Sequence, residues 1–366
     1  MIKKGAYAII RPPRQKYNFA DLESIQTIPN FGDIQCISIA FRNNRKQILY
    51  GTFYEAPHPI SEASCVIYLH GNASNQLEGR DIVSLFVPLG IHVFAFDFSG
   101  CGESDGEFIS LGPNETQDTE AVIDLLRKDF HIQKFCLWGR SMGASTSIFV
   151  LERHPEFIGA VIDSPYATLN LLLKEIASSM YIPNGIVDSV KKKVTELSTL
   201  DVNSVNPINS ACNLASSISL FIIHGEDDTF INPSHSKEIF QRASVTNKVL
   251  RIVSGKHNSV RDSSVILEAA EFLSSLLMNE IVRFVRPTDQ NTEKQQNIEM
   301  DSIEEEMRKN SFKKSDKPKK KSHKNANDEN SKDKKHHKKH HKSLKPPKDE
   351  TTRAHFSDAN DLLNHI

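Results

Sequence analysis

Phe135-Cys136-Leu137-Trp138-Gly139-Arg140-Ser141-Met142-Gly143 is the stretch from which the rest of the chain can be read. Its short apolar run predicts a buried strand over Phe135 to Trp138, and the residues from Gly143 to Arg153 have the spacing of a helix. Between them stands the pattern Gly-x-Ser-x-Gly. A strand that turns into a helix within so few residues brings the backbone against itself. Glycines two residues either side of the serine are needed because side chains there would strike neighbouring backbone. Such a turn holds Ser141 strained and exposed, as a nucleophile requires. Gly-x-Ser-x-Gly alone also suits an ordinary helix N-terminus, and it is the strand before and the helix after that give it meaning.

Working outward, strands and helices alternate. Upstream, Ile34 to Ala56 holds two β-branched and aromatic runs around Asn43-Asn44-Arg45-Lys46, the pattern of an antiparallel hairpin. A strand at Cys65 to Leu69, a helix at Leu77 to Val87, a strand at Ile91 to Phe96 and a helix at Asn114 to Phe130 follow. Downstream comes a strand at Gly159 to Ile162. This rhythm predicts an α/β architecture, a parallel sheet with helices on both faces. After Pro165 it breaks: helices are expected at Leu169 to Ile182 and Ile186 to Leu197, then a polar stretch through Asn213. It resumes with a strand at Leu220 to Ile223, a helix at Ser234 to Ala243, a strand at Lys248 to Val253 and a helix at Asp262 to Phe284.

A serine at neutral pH needs a base to take its proton, and the base needs an acid to fix its tautomer and stabilise the imidazolium. Two later strands end in such groups. Leu220 to Ile223 runs into His224-Gly225-Glu226-Asp227-Asp228, and Lys248 to Val253 into Ser254-Gly255-Lys256-His257-Asn258. Both fall beyond carboxyl ends of strands, where open α/β sheets build their sites. The candidate catalytic residues are therefore Ser141, Asp228 and His257. Asp227 is the neighbouring alternative acid and Asp163, after the strand Gly159 to Ile162, a topological one. His70 and His224 each precede a glycine at a strand end and are read as structural.

His70-Gly71-Asn72-Ala73 follows the strand Cys65 to Leu69, the place expected for the second oxyanion donor. The backbone N–H groups of Met142 and Asn72, with Ala73 as the alternative to Asn72, are the candidate oxyanion hole. Asp97-Phe98-Ser99-Gly100-Cys101-Gly102-Glu103-Ser104 lacks the phosphate-loop pattern, and its carboxylates would repel phosphate; it is read as structural. No His, Cys or carboxylate cluster up to residue 286 has metal-ligand spacing, and neither a metal nor another cofactor is expected.

The net charge of -1 conceals an asymmetry. Residues 1–286 carry 26 Lys and Arg against 31 Asp and Glu, whereas residues 287–366 carry 19 against 15. Lys313 to Lys348 alone holds fifteen Lys and four acids. Residues 287–366 have too few apolar residues to bury, and are expected to be a disordered Lys/His-rich tail. The five cysteines show no paired spacing, which suits a reducing compartment. The opening run Ala6 to Ile10 is broken by Arg11, Pro12 and Pro13, too short for a signal peptide, and no run has the length of a membrane span.

Taken together, His70-Gly71-Asn72, Asp97 to Ser104, Gly139 to Gly143, Asp163-Ser164-Pro165, His224 to Asp228, Gly255 and His257 resemble the α/β-hydrolase superfamily. Within it they are similar to the serine aminopeptidase-like branch, which includes acyl-thioesterases. The resemblance implies an α/β-hydrolase fold over residues 34–286: a mostly parallel eight-stranded sheet, helices on both faces, and a small helical cap inserted at about 166–213. Residues 1–33 become a lead-in. Two departures stand out: the oxyanion segment reads His-Gly-Asn, not the His-Gly-Gly-Gly of many carboxylesterases, and residues 1–33 hold no propeller of the prolyl oligopeptidase kind.

The expected function is hydrolysis of an ester or thioester of an acyl-type small molecule through an acyl-enzyme. The alternatives are a serine peptidase or aminopeptidase acting on amides and, from another class, a binding module without catalysis. No obligate protein partner is inferred. A cytoplasmic protein is expected, its basic tail read first as a solvated segment with no specific partner; the alternative is weak adhesion of that tail to anionic membrane or nucleic acid, with peripheral membrane or nuclear association through it.

Overall fold

The computed structural model describes residues 1–60 and 63–278. Its strands are β1 Ile25–Ile28, β2 Gly32–Arg42, β3 Ile48–Tyr54, β4 Ser64–Leu69, β5 His92–Phe96, β6 Lys134–Arg140, β7 Gly159–Asp163, β8 Ser219–Gly225 and β9 Asn247–Val253. They form a single sheet in the order β1-β2-β3-β5-β4-β6-β7-β8-β9. The pairings from β1 to β5 across β2 and β3 are antiparallel, and the remaining five are parallel. The α-helices are α1 Ile2–Ile10, α2 Arg80–Phe86, α3 Pro113–Asp129, α4 Met142–Arg153, α5 Leu169–Ser179, α6 Asn184–Ser198, α7 Pro207–Ala211, α8 Ser234–Arg242 and α9 Ser263–Leu277.

Period-2 alternation explains why this sheet is covered on both faces. On β4, Cys65, Ile67 and Leu69 enter one core while Val66 and Tyr68 enter the other. Strand β6 divides Phe135 and Leu137 from Cys136 and Trp138 in the same way. The first core receives Val122 and Leu126 of α3, Ile148 and Leu151 of α4 and Ile239 of α8; the second receives Ile82 and Phe86 of α2 with Ala269 and Phe272 of α9. Each Val, Leu, Ile or Phe among them, fully buried, contributes about 1.5–3 kcal/mol.

The sheet has nine strands, not eight. The additional one is β1, hairpinned onto β2 through Pro29-Asn30-Phe31, with Asn30 at φ 64 and the N–H of Phe31 on the carbonyl of Ile28. Residues 1–33 are likewise more than a lead-in. In α1, Ala6 and Ile10 are wholly buried, and Gly5 lies so close to α6 that an added β-carbon would sit 3.1 Å from Val190 Cγ2. The helix expected over Leu77 to Val87 is three short turns. Asn75 caps the N–H of Leu77, and Pro88 has no N–H to extend α2.

Helices α5, α6 and α7 occupy the stretch between β7 and β8. Most of their apolar cluster serves packing: Leu169 and Leu172 are buried, and Leu173 and Ile176 lie against the same core. Leu171 and Tyr181 are exposed. The tail, residues 287–366, lies outside the described residues, as does the end of the last expected helix.

Candidate active site

The β6–α4 junction places Ser141 at φ 53, ψ -112, a conformation that costs a non-glycine residue about 1–3 kcal/mol and persists only where neighbours enforce it. Enforcement is visible. The Ser141 N–H donates to the carbonyl of Asp163 at the end of β7, at 2.7 Å. A β-carbon on Gly139 would lie 2.4 Å from the Gly143 carbonyl oxygen, and one on Gly143 only 1.9 Å from that of Leu69. Only glycine allows α4 to start against β4 and β6.

The loop after β9 carries His257 to the serine. Its Nε2 is 3.0 Å from Ser141 Oγ, and its Nδ1 is 2.7 Å from Asp228 Oδ2. Because an ionised carboxylate only accepts, Nδ1 carries the proton and Nε2 is left to accept from the serine hydroxyl. The Phe230 ring stands beside the imidazole, with centroids 5.1 Å apart.

Asp228 is 2% exposed. Its Oδ1 accepts the N–H groups of Phe230 at 2.9 Å and Ile231 at 2.8 Å. Burial pushes this carboxyl up, but hydrogen bonds from His224 and His257, the His257 charge and the Ile231 N–H outweigh it and hold the group well below the usual carboxylate range. The other two candidate acids do not reach His257. Asp163 is gripped by Arg261, whose Nε and Nη2 lie 3.0–3.2 Å from its oxygens, and by the Ser164 hydroxyl at 2.9 Å. Asp227 is exposed, its N–H bonded to the carbonyl of Gly255.

His224 was expected to be structural, and the structure gives it a second part. Its Nε2 is 2.8 Å from the Ile231 carbonyl and 3.2 Å from Asp228 Oδ2, and its Nδ1 is 2.6 Å from Ser236 Oγ. Two acceptors facing Nε2 require the proton there. The ring thus contacts the same carboxylate oxygen as His257. The four-residue separation of His224 and Asp228 at a strand end was the signal.

Met142 is the first residue of α4, so its N–H has no acceptor within the helix. The Gly71 turn lies beside the serine: a β-carbon on Gly71 would be 3.8 Å from Ser141 Cβ. His70 Nδ1 donates to the Gly71 carbonyl at 2.7 Å, and its Nε2 accepts the Phe98 N–H at 3.1 Å. With that carbonyl fixed, the planar peptide aims the Asn72 N–H the opposite way. Asn72 Oδ1 is buried with no partner among the described residues, and Ala73 sits at φ 59. Asp97 accepts the N–H groups of Gln76 and Glu103 and, at 2.7 Å, the hydroxyl of Tyr17, which braces the loop as a structural element.

Among the described residues no His, Cys, Asp or Glu group could hold a metal ion, no helix is long and apolar enough to cross a membrane, and all five cysteines are free.

Residues 61–206 match the family model of serine aminopeptidase S33. The uncharacterised protein YfhR of Escherichia coli K12 is 30% identical over 197 residues, 52% of this chain and 62% of YfhR. The lysophosphatidylserine lipase ABHD12 of Danio rerio is 25% identical over 210 residues, 53% of this chain and 50% of the lipase. The chain therefore spans only half to 62% of these curated relatives' length. Among solved structures, the esterase Pf2001 of Pyrococcus furiosus superposes with a TM-score of 0.56 at 22% identity, covering 75% of this chain and 99% of the esterase. That likeness is one of fold.

Proposed function

We propose that this chain, which belongs to the α/β-hydrolase superfamily, is a serine hydrolase that cleaves an ester or thioester of an acyl-type substrate through an acyl-enzyme. The observation that carries the reading is the continuous relay from Ser141 Oγ to His257 Nε2 at 3.0 Å and from His257 Nδ1 to Asp228 at 2.7 Å. Ser141 attacks the carbonyl carbon as its proton passes to His257, and the buried anionic Asp228 stabilises the imidazolium. Collapse of the tetrahedral intermediate releases the alcohol or thiol, protonated by His257. Water, deprotonated by the same Nε2, then frees the acid and restores the serine. The developing oxyanion is met by the N–H groups of Met142 and Asn72, each donor lowering the barrier by about 3–4 kcal/mol.

An ester reading is supported by two similar proteins, a lysophosphatidylserine lipase and an esterase. The family model's name favours amide cleavage. The two are separated by turnover of p-nitrophenyl esters of increasing chain length beside aminoacyl-amides. A burst of p-nitrophenol equal to the enzyme, with the acyl mass on the peptide containing Ser141, is the expected result. Amide turnover exceeding that of every ester would establish the peptidase instead.

A further inference from the structure

We propose that Arg140 and Glu78 are positioning residues whose ion pair ties the Gly71 turn and the His257 loop to either side of Ser141. Arg140 is the residue before the serine, at the end of β6. Its Nη1 lies 2.8 Å from Glu78 Oε1, while Nη2 donates to Asn258 Oδ1 at 3.1 Å and faces the His257 carbonyl at 3.5 Å. The other oxygen of Glu78 accepts the Gly71 N–H at 3.0 Å and the Tyr68 hydroxyl at 3.5 Å. One guanidinium and one carboxylate thus join three segments far apart in sequence: the oxyanion turn, the nucleophile turn and the loop of the base.

The far side of the His257 loop is held by Arg261. Its Nη1 donates to the Lys256 carbonyl at 2.9 Å and its Nη2 faces the His257 carbonyl at 3.4 Å. Arg261 is anchored on Asp163, whose own carbonyl takes the Ser141 N–H. The His257 carbonyl therefore sits between two guanidinium groups. On the oxyanion side, Gly71 is held by its N–H on Glu78 and by its carbonyl on His70, so the residue before Asn72 is fixed through both of its peptides, and the second of these carries the Asn72 N–H. A planar fork makes these divergent contacts at once, whereas a lysine supplies one point charge.

Contacts that set the alignment of donor, base and nucleophile act in the transition state more than in substrate binding. Loss of the bridge lowers kcat and leaves KM nearly unchanged. The inference rests on Ser141, His257 and Asp228 being the reacting set.

The test uses the full-length protein and p-nitrophenyl butyrate, with active sites titrated by a fluorophosphonate. Arg140→Met is expected to lower kcat per titrated site about 10- to 100-fold, the effect of small misplacement at a reacting centre. Glu78→Gln, which keeps an acceptor for Gly71, costs less, and Arg140→Lys lies between. The Glu78→Gln, Arg140→Met double variant matches the worse single, because both remove one bridge. Amide exchange at Gly71, which needs no turnover, speeds up in Glu78→Ala. Unchanged kcat per titrated site, additive losses, or losses that follow only a fall in folded protein would overturn the inference. A wild-type chain that cannot be titrated at all would instead defeat the hydrolase reading, while exchange at Gly71 still reports on the bridge.

Discussion

His224 and His257 hold the carboxylate of Asp228 between them, Nε2 of the first at 3.2 Å and Nδ1 of the second at 2.7 Å from the same Oδ2. Asp228→Asn removes the anion on which both imidazoles depend, and a fall of about 10³- to 10⁴-fold in kcat is expected, the size of effect that a miscast tautomer produces. Asp227→Asn is expected to turn over within about twofold of wild type, since surface changes away from such contacts cost little. Asp163→Asn should show itself in thermal unfolding, because it strips Arg261 of a buried partner at about 3–5 kcal/mol. Steady-state kinetics and melting curves of the three variants check the order.

The depressed Asp228 carboxyl also makes a prediction about pH. A group whose folded pKa lies below its unfolded value adds stability that is fully present above the ordinary carboxylate value, about 3.9, and is lost as pH falls through the folded one. The difference in unfolding free energy between wild type and Asp228→Asn should be level above about pH 5 and shrink between there and pH 2. Denaturant titrations across that range measure it; a constant difference would place the anion's stabilisation elsewhere.

Gly143→Ala should not give folded protein, since the new β-carbon would lie 1.9 Å from the Leu69 carbonyl oxygen, backbone that cannot yield without breaking β4. Gly185 near the start of α6 meets nothing within 4 Å. There Gly→Ala should be tolerated and stabilise by up to about 1 kcal/mol. Soluble yield and Tm of the two variants are the comparison.

Much of this is legible in the sequence, for a physical reason. Ser141, Asp228 and His257 each stand just past the carboxyl end of a parallel strand, so strand ends read from apolar runs locate all three. The partners that hold them are not. His224, Arg140, Glu78 and Arg261 act through side chains reaching between loops, and no spacing along the chain reports which loop end faces which. Strand β1 is four residues long and largely exposed, with too little apolar pattern to stand out. Helix α1 hides its close contact with α6 behind Gly5 and two lysines.

If the basic stretch Lys313 to Lys348 binds anionic surfaces, it does so by charge alone, and the following results are then expected. Full-length protein should adsorb to acidic liposomes or RNA at low salt, and release as counterions compete. Adsorption should be stronger at pH 6 than at 7.5, because histidines titrate near about 6.5. Removing residues 288–366 should abolish adsorption and leave kcat on soluble esters unchanged. Binding that survives truncation would put the contact on the remaining residues.

The central claim is that Ser141 is a nucleophile activated by His257. It is tested most directly by treating wild type, Ser141→Ala and His257→Ala with a fluorophosphonate and mapping the adduct by mass spectrometry. The account predicts one adduct per wild-type chain, on Ser141, absent in Ser141→Ala and formed at least about 10³-fold more slowly in His257→Ala. Labelling that persists in Ser141→Ala, or that proceeds at the wild-type rate without His257, would contradict it.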